Sequence, residues 1–242
     1  RAVMRFRRAH ERDIPSVAHV YREALRHVYH AHGFDAFLPL PGVNPFYAHA
    51  CREEPEGFHV AEDNGVIVAA AISWVREHLW FLSHLFVLPE YQGQGIGKNL
   101  LALCQGYART RQCTHRAVIT MSFNPVSLAL YVKNGMYPRD DVLLLSIDPT
   151  ARISGDLPGV CSFEPIAEAD QATLETLAAI DGQTIGIRRD GHHRFFLSQP
   201  DARLLLARRG EVPEGYMYVW ESGRIGPLAA PDEAVLLEMT RH

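Results

Sequence analysis

The sequence predicts an α/β (α+β) fold: a mixed, mostly antiparallel central sheet flanked by helices, followed by a second, partial unit of the same kind. Three observations carry this expectation. The runs 57–62, 66–74 and 79–87 follow one another through tight turns and read as an antiparallel meander. The third run leads into three glycines at alternate positions and then into a helical pattern. The spacing of apolar and acidic residues at the start of the chain returns near residue 163.

The elements can be justified in order. Met4–Ala9 is a short first strand. Asp13 is placed to cap a helix whose apolar stripe is Ile14, Val17, Ala18, Val20, Tyr21, Ala24 and Leu25. The segment Arg26–His32 keeps helical character, and Phe34–Phe46, with Pro39, Pro41 and Pro45, reads as loop. Asp63-Asn64-Gly65 joins the first two meander strands, since Asn-Gly supplies the positive φ angles of a type I′ turn. Leu79–Val87 is almost wholly apolar, as a strand buried on both faces would be. From Ile96 the apolar positions Leu100, Leu101, Leu103, Cys104 and Tyr107 follow a helical period. Ala117–Ser122 reads as a further strand, and Asn124-Pro125 as a helix start running to a left-handed end at Gly135. Val142–Ile147 would close this unit.

Composition narrows the function classes. The chain of 242 residues is 47% hydrophobic and 21% charged, with a net charge of −4, a balance that gives nucleic acid no basic face to hold. No stretch approaches the roughly 18 uninterrupted apolar residues of a membrane span. Cys51, Cys104, Cys113 and Cys161 are scattered without a C-x-x-C pair, so free thiols in a reducing cytoplasm are expected. His27 and His30 lie three apart on one helical face, but no third ligand has a suitable spacing, and no metal is expected.

The glycine-rich turn is the chemical centre. A turn with few β-carbons lets backbone N–H groups converge, and the helix N-terminus adds partial positive charge, which together make an anion site suited to phosphate. Two common phosphate loops do not fit. A Walker A loop needs glycine at Gln92 and Ser or Thr at Asn99, and a dinucleotide fingerprint needs glycine at Lys98. What stands there is Gln92-x-x-Gly95-x-Gly97 after Val87-x-Pro89.

This motif resembles the acetyl-CoA pyrophosphate loop of the GCN5-related N-acetyltransferases, the GNAT superfamily. Asn124-Pro125-x-Ser127-x-x-x-Tyr131-x-x-x-Gly135-Met136 resembles a second motif of that family. The resemblance implies the GNAT fold over residues 1–148 and a direct transfer, in which an amine attacks the thioester and coenzyme A leaves as thiolate. Under it, the backbone of Gln92, Gly93, Gln94, Gly95, Ile96, Gly97 and Lys98 would hold the pyrophosphate. Val87 would pair with the pantetheine arm, and Asn124 would hydrogen-bond the arm or the phosphates. Tyr131 would protonate the thiolate, a phenol being protonated at neutral pH. The general base stays open: Ser83 fills a position where many members carry Glu, and His84 can accept a proton but should point away from Ser83 along the strand.

Function then reads as an N-acetyltransferase acting from acetyl-CoA on a primary amine, either a small molecule or a peptide, with homodimerisation compatible with the family. The alternatives are a non-catalytic acyl-CoA-binding or scaffold module, or a tandem member of the mycothiol synthase type. Domain expectations are 1–148 for the acetyl-CoA unit, 149–158 for a linker and 159–242 for a degenerate partial copy. In that copy Phe163-x-x-Ile166-x-x-x-Asp170 echoes Phe6-x-x-Ala9-x-x-x-Asp13. Runs 203–208, 215–220 and 225–230 echo the meander. Its turn, Ala229-Ala230-Pro231-Asp232, has no glycine and adds an acid, so no coenzyme is expected there.

Overall fold

The computed structural model describes residues 4–35, 45–142, 159, 161–168 and 170–241. The chain divides into two compact units, with the boundary between residues 143 and 144. The expected closing strand beyond Val142 and the expected linker 149–158 lie outside the described residues; Val142 itself is irregular.

In the first unit, strands β1 (Arg5–Arg8), β2 (Phe58–Asp63), β3 (Val66–Arg76), β4 (Leu79–Val87) and β5 (His115–Val118) form one sheet in that order. All neighbours are antiparallel except β4 and β5, which run parallel. Helix α1 (Ile14–Ala31) packs on β3 and β4, and so does α3 (Ile96–Thr110); α2 is Pro45–Glu53 and α4 is Pro125–Lys133. β3 is buried over nine consecutive residues, all of them apolar except Ser73. Its alternate residues serve opposite layers: Ala70 and Ile72 face Val17 and Tyr21 of α1, whereas Ser73, like Cys104 of α3, donates to the Gly57 carbonyl.

Four expectations are corrected. Asp13 precedes α1 but does not cap it. Its carboxylate instead accepts from Arg7 at 2.6 and 2.9 Å and from the His10 N–H at 2.8 Å, tying β1 to the helix start. Pro45-Phe46 is not loop but the beginning of α2, because proline at a first helical position loses no intrahelical bond. The strand expected at Ala117–Ser122 is His115–Val118, since its partner residues on β4 are Leu79–Leu82 and the pairing stops there. Finally, β4 is not buried on both faces throughout: beyond Leu82 it is half-buried from Ser83 to Val87, where β5 no longer covers it.

The second unit has a four-stranded antiparallel sheet, β6 (Ser162–Ile166), β7 (Ala202–Arg209), β8 (Val212–Trp220) and β9 (Ile225–Ala229), in that order. Helices α5 (Gln171–Thr184) and α6 (Asp190–Leu197) follow β6, and α7 (Glu233–Met239) follows β9. Strand alternation separates two cores. Leu204, Leu206, Tyr216 and Tyr218 pack with Leu177 and Ile180 of α5, while Ala207 and Met217 pack with Val235 and Met239 of α7. The element order, one strand, two helices, three strands and a helix, is that of β1 through α3. All four cysteines are free, and no described helix is long and apolar enough to cross a membrane.

Candidate active site

The site begins where two strands part. β5 pairs with β4 only from Leu79 to Leu82, whereas β3 stays paired with β4 as far as Val87. One edge of Ser83–Val87 is therefore unpaired and faces an opening past the end of β5, the wedge, with main-chain groups free to take an extended ligand as an added strand.

At the end of that edge the chain passes through a single 3₁₀ turn, Pro89–Tyr91, and enters the glycine turn. Gly93 and Gly95 have φ of +75° and +79°, a region that disfavours residues with a β-carbon. A β-carbon built on either would meet nothing within 4 Å, so both border open space. Gly95 is the N-cap of α3 and offers no side chain to the helix, whose first bond is Asn99 N–H to Gly95 O. The N–H groups of Ile96, Gly97 and Lys98 are left pointing out of the first turn. Two glutamines brace the turn: Gln92 Nε2 donates to Val87 O at 3.0 Å and Gln94 Nε2 to Glu90 O at 3.2 Å. Ile96 is buried and pins the helix start, while Lys98 is exposed. The result is a rigid cradle of outward N–H groups with no anion of its own, and these residues fit a pyrophosphate.

Helix α4 begins at Asn124, whose Oδ1 accepts from Ser127 N–H at 3.2 Å; Ser127 Oγ also lies 2.8 Å from Thr120 Oγ1. Asn124 is thus first a helix cap, with its amide N–H₂ left for a ligand. Leu130 of this helix stands against Gly97, where an added β-carbon would come within 3.9 Å of it and 3.7 Å of Val87. Residue 97 thus sits where α3, α4 and β4 meet, and a β-carbon there would make only ordinary van der Waals contacts. Tyr131, one residue on, is buried, and its phenol has no hydrogen-bond partner among the described residues. Burial pushes its pKa up to about 12. Gly135, at φ +78°, ends the helix as expected.

The expected opposition of Ser83 and His84 does not hold. Ile72 pairs with His84 and Ser73 with Leu82, so Ser83 is an extra residue bulged out of the β4 ladder. The bulge breaks the alternation, and His84 Nδ1 lies 3.0 Å from Ser83 Oγ. That hydroxyl also accepts from Trp74 Nε1 at 3.2 Å and donates to Ile72 O at 3.2 Å. The His84 imidazole sits among the rings of Tyr21, Phe46, Tyr47 and Phe86, at centroid distances of 5.6 to 6.0 Å. Burial lowers its pKa to about 4, which keeps it neutral at physiological pH and makes it a weak base.

Sequence reading missed two features beside β4. Val17, Tyr21, Tyr47, Ala70, Ile72, His84 and Phe86 line a small apolar cavity of about 10 Å³. Only the helical period of α1 could have pointed to Tyr21, and α2 was not expected. Glu54, just past α2, is buried; its carboxylate accepts from Val75 N–H at 3.1 Å, from Arg76 at 2.7 Å and from the Tyr107 hydroxyl. Those partners occupy it as a structural clasp. No three His, Cys, Asp or Glu side chains group to hold a metal among the described residues.

The chain is similar to known proteins. A candidate acetyltransferase from Pyrococcus horikoshii has a crystal structure that superposes with a TM-score of 0.69 at 20% identity, covering 98% of this chain and 76% of that one. An uncharacterised N-acetyltransferase from Archaeoglobus fulgidus is 30% identical over 117 residues, which are 45% of this chain and 76% of that protein. An acetyltransferase from Yersinia pestis is 28% identical over 93 residues, and the match spans 38% of this chain and 66% of the relative's length. The profile of the Acetyltransferase (GNAT) family matches residues 14–136, which run from the first residue of α1 through the wedge, the glycine turn and the end of α4. The chain belongs to the GNAT acetyltransferase family.

Proposed function

We propose that this chain transfers an acetyl group from acetyl-CoA to a primary amine by direct attack. The observation that carries the reading is the uncapped N-terminus of α3, set in a glycine turn at the head of the β4–β5 wedge. When bound, acetyl-CoA supplies the activated thioester. Gly93 through Lys98 would hold its pyrophosphate on backbone N–H groups, with the α3 dipole adding to the attraction. Ser83–Val87 would align the pantetheine arm as an added strand. The Val87 carbonyl is already engaged by Gln92, which leaves its N–H and the carbonyls upstream for that pairing. Asn124 would donate its free amide N–H to the arm.

Tyr131 holds the proton that the leaving thiolate needs. Its raised pKa keeps that proton on the phenol through neutral pH, and with no partner among the described residues the O–H can turn toward the sulfur. His84 and Ser83 form a hydrogen-bonded pair on the acceptor side. With His84 a weak base, the amine arrives in its neutral form and the pair orients it. Residues 1–148 make up this acetyl-transferring unit, 149–158 a linker and 159–242 a degenerate partial copy. Four free cysteines suit a cytoplasmic setting.

Thiol release from acetyl-CoA in the presence of amines tests the assignment. Tyr131→Phe is expected to lower kcat about 100-fold with acetyl-CoA affinity retained. Unchanged turnover in that variant would remove the phenol from the mechanism.

A further inference from the structure

The hydrogen bonds around the β4 bulge bear on which nitrogen of His84 carries its proton. Ser83 Oγ has one hydrogen to give and two lone pairs to receive with. Trp74 Nε1, 3.2 Å away, only donates, and the Ile72 carbonyl, also at 3.2 Å, only accepts. The indole N–H takes one lone pair of the hydroxyl, and the hydroxyl hydrogen goes to Ile72 O. What is left for His84 Nδ1, at 3.0 Å, is the second lone pair, so Nδ1 is the donor. A neutral imidazole protonated at Nδ1 keeps its free lone pair on Nε2. His84 is half-buried, and its Nε2 has no hydrogen-bond partner among the described residues. The indole is held firmly. Trp74 is buried, Phe46 and His49 pack against its ring at 5.1 and 5.5 Å, and the Arg76 guanidinium lies over it at 5.0 Å.

We infer, on the footing of the acetyltransfer reading above, that Trp74 is a positioning residue: through Ser83 it holds His84 in the Nδ1–H tautomer, so that Nε2 accepts an N–H of the incoming amine. An amine attacks with its lone pair, and a contact made through its N–H leaves that pair free for the thioester. The other tautomer would present Nε2–H, which binds the amine through its lone pair and takes it out of the reaction. The indole N–H, which touches neither substrate, thus decides whether the histidine orients the nucleophile or blocks it.

The test reads the tautomer directly, by nitrogen NMR of the protein carrying isotope-labelled histidine at neutral pH, with the His84 signals identified by their loss in His84→Gln. Acetyl-CoA binding is measured beside it by calorimetry, and thiol release with benzylamine, a tetrapeptide beginning with alanine, and spermidine, the fastest of the three being carried forward. The unaltered protein is expected to show His84 protonated at Nδ1. Trp74→Phe keeps a ring in place and frees the hydroxyl to turn toward Nδ1. It is expected to bring up the Nε2–H form and to lower kcat/KM for the amine about 10-fold, with acetyl-CoA binding intact. Ser83→Ala, which removes the acceptor of Nδ1–H, is expected to shift the tautomer in the same way and serves if Trp74→Phe does not fold. A merely structural role would lower stability and leave the tautomer alone. Nε2–H or imidazolium as the main form of His84 in the unaltered protein would overturn the inference. An Nδ1–H form that persists in both variants would overturn the role of Trp74, and a tautomer shift with unchanged kcat/KM would overturn its link to the amine. Failure of the unaltered protein to bind acetyl-CoA, or to release thiol with any of the three amines, would instead count against the parent reading.

Discussion

Two helix beginnings in this molecule stand at corresponding places and are built for opposite ends. Both follow the fourth strand of their sheet, and both fourth strands carry an extra residue where they pair with the third. At α3 the chain enters through Gly93 and Gly95, and no side chain caps the helix. At α7 it enters through Ala230-Pro231, and Asp232 accepts from Ala234 N–H at 2.8 Å while bonding Arg209 at 3.3 Å. The second helix start already has its anion; the first has open space where an anion would sit. An N-terminus made stable by its own carboxylate has little left to offer a phosphate. One omitted side chain separates an open helix start from a self-capped one.

The interiors differ in the same sense. In the first unit the space between α1, α2 and the sheet is a small apolar cavity beside a neutral His84. In the second, between α5, α6 and the sheet, the space is taken by a closed polar network. Asp181, fully buried, accepts from Arg189 at 2.8 Å, from His193 at 3.0 Å and from the Tyr216 hydroxyl at 2.6 Å, and His193 Nδ1 meets the Tyr218 hydroxyl at 3.0 Å. Such a network holds the helices in place.

The largest effect expected from breaking this contrast is at Asp181. Asp181→Ala strands the Arg189 charge and should cost the second unit about 3–5 kcal/mol in urea unfolding. Hydrogen bonds from His193, Arg189 and Tyr216 outweigh desolvation and hold the Asp181 pKa at about 2, below its unfolded value. The stability this group contributes is therefore complete above about pH 4 and fades as pH falls toward 2. A unit whose acid unfolding is unchanged in Asp181→Ala would show that the network is not what holds it. A smaller effect is expected at the capped helix start: Asp232→Ala should lower the urea midpoint slightly, with acetyl-CoA binding unchanged. New or tighter acetyl-CoA binding in that variant would mean that the second turn was only masked, and the contrast would be one of degree.

Much of this was legible in the sequence because it rests on local chemistry. Leu79–Val87, the α3 start at Ile96, the Asn124-Pro125 cap and the Gly135 stop are all written in residues that act on their immediate neighbours. The acid at Asp232 likewise marked the start of α7, which its carboxylate caps. What escaped depends on partners distant in the chain. The Ser83 bulge is a property of register against β3, so alternation along β4 alone misplaced His84. The end of β5 at Val118 is set by where β4 leaves it, although Ile119 to Met121 has the composition of a strand; Ile119 is in fact exposed. Asp13 had the position of a cap, yet a salt bridge to Arg7 across the strand–helix turn outcompetes a bond to the helix N–H groups. α2 was hidden by prolines that break helices in the interior but not at the first position.

The central claim is that one turn of the two binds acetyl-CoA, and calorimetric titration of acetyl-CoA into the protein beside Gly95→Glu tests it directly. Glu at this position would strain a φ of +79° and place a carboxylate in the cradle. The account predicts one site per chain, a stabilisation of roughly 2.7 kcal/mol at a hundred times the Kd, and no measurable heat in the variant. Two sites per chain, binding that survives Gly95→Glu, or no binding by the unaltered protein would contradict it.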